Sequence, residues 1–154
     1  MKQRIYIDTS VIGGCEDEEF AQWSIQLFKE FQQGTRIAVI SDLTLIELEK
    51  APESVRKVLS SLPYANIENV FLTEEAESLA KNYIDEGVIS AKHIVDAQHI
   101  AIASVERVDI LVSWNFQQIV NLEHIRAFNS VNLKLGYPIL EIRSPREVIR
   151  EKDI

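Results

Sequence analysis

The sequence predicts an α/β fold in a single domain, residues 1–154, with a mostly parallel central sheet flanked by helices on both faces. Three observations lead there. Short apolar runs rich in β-branched residues alternate along the chain with longer segments of helical spacing. That alternation is the pattern of strands joined by crossover helices, and such crossovers are right-handed. A length of 154 residues, 46% of them hydrophobic, fits one domain able to bury a core without staples.

Residues 4–7 read as a short buried strand, and residues 9–15, with Gly13 and Gly14, as a turn. Phe20, Trp23, Leu27 and Phe31 then recur at helical spacing. Asp17, Glu18 and Glu19 stand at that helix's start, where negative charge complements the dipole. Residues 36–40 read as the second strand and 42–50 as a helix, with Pro52 as first position of the next. Residues 67–72 form a third strand. Thr73 caps a helix that carries Ala76, Leu79, Ala80, Tyr83 and Ile84 on one face and ends at Gly87. A helix over 94–105, a fourth strand over 109–112, a short helix over 116–121 and a last strand over 139–142 follow. Ser144-Pro145-Arg146-Glu147 is a capping box with proline at the first helical position, so a short helix closes the chain.

Bulk properties narrow the function. The lone Cys15 forms no intrachain disulfide and, without a nearby base, reads as a small loop residue rather than a nucleophile. The apolar run Ile5-Tyr6-Ile7 stops at Asp8, too short for a signal peptide, and no run approaches a membrane span. A cytoplasmic protein is expected. The net charge of −8 is not the basic footprint of a nucleic-acid binder. Carboxylates gathered round a metal would contribute part of that charge. Lys50, Lys92, Arg126, Arg143 and Arg146 are the candidates for a basic rim.

The acids carry the chemistry. In open α/β sheets functional groups gather at the carboxyl ends of strands. Asp8 stands at the end of the first strand, and Ser113, Trp114 and Asn115 at the end of the fourth. If those strands are neighbours, Asp8 and Asn115 share a crevice. Glu47 lies within the apolar stretch 43–48, and Asp96 among Ile94, Val95, Ala97 and Ile100. A carboxylate in apolar surroundings is costly unless paired or metal-bound. Three of them are explained together by convergence on a hard cation, Mg²⁺ or Mn²⁺. Singly, each also has a structural reading: Asp8 as a turn cap, Glu47 as an exposed helix residue, Asp96 as a first-turn acid favoured by the dipole.

Tyr6-Ile7-Asp8-Thr9-Ser10-Val11-Ile12 resembles the opening motif of PIN-domain nucleases. Leu45-Ile46-Glu47-Leu48 resembles their second motif, and the run from Asp96 to Ala103, DAQHIAIA, their third and most specific one. Leu111-Val112-Ser113-Trp114-Asn115-Phe116 resembles the fourth. Order and spacing fit over nearly the whole chain, and its size is similar to that of the VapC-type toxins and their stand-alone relatives. The resemblance implies a PIN-like fold and a Mg²⁺- or Mn²⁺-dependent endoribonuclease, active as a homodimer and paired, if it is a toxin, with an antitoxin. It implies metal binding by Asp8, Glu47 and Asp96 and a catalytic place for Asn115. Many members have an acid there, and asparagine supplies a carbonyl but no charge. One tight metal site and one weak one are expected. Thr9, Ser10 and Ser113 are candidates to orient the acids or touch phosphate.

Other residues have two readings. His93, Asp96 and His99 drift round the helix, so a zinc site among them is disfavoured; His99 reads as structural or as orienting a ligand. Trp114 either stacks a base or packs beneath the site. Two rival functions stay open. One is a catalytically weakened PIN-like module that binds RNA or protein. The other is an aspartyl phosphatase, disfavoured because Ser10 stands where its second acid belongs.

Overall fold

The computed structural model describes residues 1–150; the last four residues of the expected domain, 151–154, lie outside the described residues. Five strands form one sheet: β1 (Gln3–Ile7), β2 (Arg36–Ser41), β3 (Ile67–Val70), β4 (Ile110–Val112) and β5 (Glu141–Arg143), in the order β3-β2-β1-β4-β5. All four pairings are parallel. The sheet grows outward from β1 in both directions, so the strand order reverses between β1 and β4. That switch point is where an open α/β sheet leaves a crevice beyond its carboxyl edge. Register places Ile7 beside Val112, which brings Asp8 and Ser113 out of the sheet side by side.

Alternation along the strands divides the core into two layers. Tyr6, Val39, Leu111 and Ile142 face helices α5 (Glu74–Asp85), α6 (Ile94–Val105) and α7 (Leu122–Lys134), where they meet Leu79, Ile100 and Phe128. Ile5, Ile7, Ala38, Ile40 and Val112 face α1 (Thr9–Gly13), α2 (Ala21–Gln33) and α4 (Glu53–Ser60), against Val11, Leu27, Phe31 and Val55. Ile5, Tyr6 and Ile7 are wholly buried, as expected of a parallel strand covered on both faces. Helix α3 (Asp42–Leu48) follows β2 directly, capped by Ser41, and α8 (Pro145–Val148) follows β5 with the expected capping box. No helix among the described residues is long and apolar enough to cross a membrane.

Four expectations need correction. Residues 9–15 are not a plain turn: Asp8 accepts a hydrogen bond from the Val11 N–H and starts α1, which passes into a 3₁₀ turn over Gly14–Glu16. Residues 116–121 are turns, not a helix. There Asn115 Oδ1 accepts from the Gln118 N–H at 3.0 Å and Asn121 Nδ2 donates to the Phe116 carbonyl at 3.0 Å, the local side-chain bonding that competes with helix. The helix lies just beyond, as α7, capped by Asn121 through the His124 N–H at 2.9 Å. Pro52 precedes α4 as its cap rather than opening it, and β5 begins at Glu141, two residues later than expected.

Candidate active site

The crevice is built on three strand ends. Asp8 leaves β1 into the cap of α1, 6% exposed. Its Oδ1 accepts from the Ser10 hydroxyl at 2.6 Å and its Oδ2 from the Ser113 hydroxyl at 2.6 Å. The capping reading of Asp8 therefore holds, and the same carboxylate is clamped between the ends of β1 and β4. Burial pushes the Asp8 carboxyl above its ordinary value, against the opposing pull of His99 and the two serine hydroxyls. Each serine is itself held in place: the Trp114 N–H donates to Ser10 Oγ and the Asn115 N–H to Ser113 Oγ, both at 2.9 Å.

Glu47, on α3, is partly exposed. Its Oε1 accepts from Thr9 Oγ1 at 3.0 Å and from His99 Nε2 at 2.9 Å. His99 is 2% exposed on α6, and its Nδ1 meets the Tyr6 hydroxyl at 2.5 Å. Tyr6 meets Ser41 Oγ at 2.7 Å. A carboxylate only accepts, so His99 Nε2 carries a proton and donates to Glu47. A chain of hydrogen bonds thus links Ser41, Tyr6, His99 and Glu47. Burial raises the Glu47 carboxyl, but the His99 hydrogen bond and charge, with Thr9, outweigh it and hold the group below its ordinary value.

Asp96 sits in the first turn of α6, with Oδ2 3.8 Å from His93 Nδ1. Burial raises its carboxyl; His99 opposes this, and the like charges of Asp8 and Glu47 add to it. Asp96 thus feels both other acids. Among the described residues, however, no three His, Cys, Asp or Glu side chains stand close enough together to hold a metal ion as they lie. The donor set is all oxygen and crowded with like charge, the chemistry of a hard-cation site. Asp8 and Asp96 fit that role. Glu47 spends both its hydrogen bonds on Oε1 and has Oε2 to offer.

Asn115 stands beside the crevice, but its side-chain oxygen closes the turn onto Gln118 rather than reaching Asp8. Thr9, Leu43, Ile46, Glu47, Lys50 and Val95 line an open cleft of about 490 Å³, so Lys50 alone of the expected basic rim borders Glu47 there. Arg143 is engaged by Glu141 at 2.6 Å and Glu147 at 4.0 Å. Cys15 is no nucleophile: burial, aided by Glu16, pushes its thiol up to about 12. Sequence reasoning passed over Tyr6 and Ser41. The available signal was a phenol inside an otherwise apolar strand, because a buried tyrosine hydroxyl needs a partner.

No protein-family model and no curated protein matches the chain. Solved structures do. VapC20 of Mycobacterium tuberculosis, described as a toxin that cleaves the sarcin–ricin loop, superposes with a TM-score of 0.54 at 13% identity, over 70% of this chain and 86% of that one. VapBC2 of Rickettsia felis, bound to a DNA fragment from its promoter, gives 0.57 at 14%, over 92% and 98%. The DNA-bound VapBC of Salmonella typhimurium gives 0.55 at 17%, over 94% and 99%. Sequence identity this low speaks to architecture alone, and in architecture the chain has the PIN-like α/β fold seen in the VapC toxins and their antitoxin complexes.

Proposed function

We propose that this protein is a divalent-metal-dependent endoribonuclease of the PIN kind, the toxin of a type II toxin–antitoxin pair, working in the cytoplasm with Mg²⁺ or Mn²⁺. The observation that supports the reading is that Asp8, at the switch point of the sheet, and Glu47 are near enough to raise Asp96 by their charge. Two of them are raised by burial, and Asp96 also by the charge of the other two. Such a group is unfavourable on its own terms and is relieved by a cation. The fold of the VapC toxins supports the same reading. An antitoxin partner belongs to it too, since the neighbours include toxin–antitoxin complexes, and a homodimer is taken with it from the family resemblance alone.

Asp8, Asp96 and Glu47 are the residues that would hold the metal. When bound, the ion would acidify a water and offset charge on the phosphate. The chain's own residues set the stage. Ser10 and Ser113 hold both oxygens of Asp8, so the carboxylate has one orientation. His99 and Thr9 hold Glu47, and Tyr6 fixes the imidazole. Cleavage of mixed cellular RNA tests the proposal: it should appear with Mg²⁺ or Mn²⁺, vanish with chelator, and be absent in Asp8→Asn and Asp96→Asn. RNA left intact by a folded, metal-loaded protein would contradict it. One observation favours the second reading, a weakened binding module: the Asn115 oxygen is committed to Gln118. Under that reading Asn115→Asp restores cleavage to an inactive protein; under ours it strengthens an existing activity.

A further inference from the structure

Beside the acids lies a cleft of about 380 Å³ that the mechanism does not use, lined by Phe20, Trp23, Trp114, Phe116, Glu19 and Arg146. Its wall is fastened to the groups that hold Asp8. The Trp114 N–H donates to Ser10 Oγ, and Ser113, one residue earlier, donates to Asp8. Trp114 is rigid: its Nε1 donates to Ser24 Oγ at 2.9 Å, and Phe20 stacks on it at 4.0 Å and 13°. Gly14 permits this approach, because a Cβ there would stand 2.6 Å from Trp114 Nε1 and 2.5 Å from Ser24 Oγ. Phe116 is 48% exposed, and it meets Trp114 edge-on and Phe20 at a tilt, so neither ring lies parallel on its face. The Arg146 guanidinium stands 4.8 Å over Trp23, and no ion pair engages it among the described residues.

We infer that this cleft is a subsite for an unpaired base of the RNA strand, next to the scissile phosphate; the inference rests on the ribonuclease reading. Flat rings with an open face are what a base stacks on, whatever its identity. A guanidinium in no ion pair with the described residues adds cation–π contact and a partner for the adjoining phosphate. Arg126, Arg56 and Lys50 border other clefts, but here the cation stands among aromatic rings, so a base and its phosphate can be met together. A protein segment covering the cleft is the competing occupant, and the test separates the two.

Trp23 and Trp114 are the chain's two tryptophans, so its tryptophan emission reports on this cleft alone. A short single-stranded RNA is titrated in chelator at low salt, alongside the same strand with its bases removed. The RNA should quench the emission saturably, the abasic strand should bind about tenfold more weakly without quenching, and Phe116→Ala and Arg146→Ala should each weaken the RNA about tenfold. Both side chains are exposed, so the variants should fold, which circular dichroism checks. Equal quenching by the two strands overturns the inference. So does unchanged emission with an RNA that the metal-loaded protein cleaves, which leaves the cleft to a protein partner. Base-dependent quenching without cleavage would instead uphold the subsite and sink the nuclease.

Discussion

Helix α6 serves two buried polar networks that differ in kind. Near its C-terminal end, Ser104 joins Asn132 of α7 and Tyr83 of α5. The Tyr83 hydroxyl donates to Asn132 Oδ1 at 2.5 Å, Asn132 Nδ2 donates to Ser104 Oγ at 2.9 Å, and Ser104 Oγ donates to the Ile100 carbonyl at 2.8 Å. Every member is neutral, and each of these donated hydrogens finds its acceptor inside the network. Near its N-terminal end, His99 holds Glu47, and Asp96 feels the charge of Asp8 and Glu47. That network is charged, and burial raises two of its acids. A satisfied neutral network does nothing but hold three helices together. A network with surplus negative charge is incomplete without something positive. The contrast separates polar groups kept for stability from polar groups kept for chemistry.

The sharpest way to break the contrast is to neutralise one member of each. Asp8→Asn should lower metal-dependent cleavage about a thousandfold or more, since the ion's charge stabilisation is worth several kcal/mol. The same variant should be more stable than the parent in chelator at neutral pH. Asp8 and Asp96 bind their protons more tightly folded than unfolded. The stability they lend is therefore complete below their ordinary value and is lost as pH rises through the folded values. Melting curves should show the variant ahead at pH 7 and the gap closing as pH falls toward about 4. A variant that melts lower at pH 7 would mean that Asp8 is chiefly a cap.

Asn132→Ala should do the reverse. It takes the acceptor from the buried Tyr83 hydroxyl and a donor from Ser104, and should cost about 3 kcal/mol in urea unfolding, with cleavage per folded molecule unchanged. His99→Gln comes next: loss of the partner that holds Glu47 should lower activity and Mn²⁺ affinity roughly tenfold to a hundredfold, with Asp8 still clamped by its serines. A fall in stability with no change in Mn²⁺ affinity would class His99 with the structural network. The smallest effect concerns Cys15. With its thiol pushed up to about 12 by burial, labelling by a thiol reagent at pH 8 should be negligible until the protein unfolds; prompt labelling of native protein would show an open loop.

The α/β class and the parallel sheet were legible in the sequence because they rest on local patterns. β-branched runs, the Thr73 cap and the Ser144–Glu147 capping box need only near neighbours. Helix α7 was missed although Leu122, Ile125, Phe128 and Val131 recur at helical spacing. Asn121 was read as a helix end when it is the cap of the next one. At the candidate site, the pairing of the first and fourth strand ends was legible. The holding groups were not. Whether His99 meets Glu47 or solvent depends on Tyr6, 93 positions away in sequence. Whether Asn115 points at Asp8 or at Gln118 is decided by turn geometry that asparagine satisfies either way.

A calorimetric titration with Mn²⁺ on the wild-type protein, on Asp8→Asn and on Asp96→Asn tests the central claim most directly. One tight site per chain, lost in both variants and weakened in His99→Gln, is the result expected if the crowded acids are a metal centre. No binding by the folded wild-type protein, or binding indifferent to both substitutions, would return these carboxylates to capping and packing. Two equally tight sites would contradict the single-site expectation that Asn115 supports.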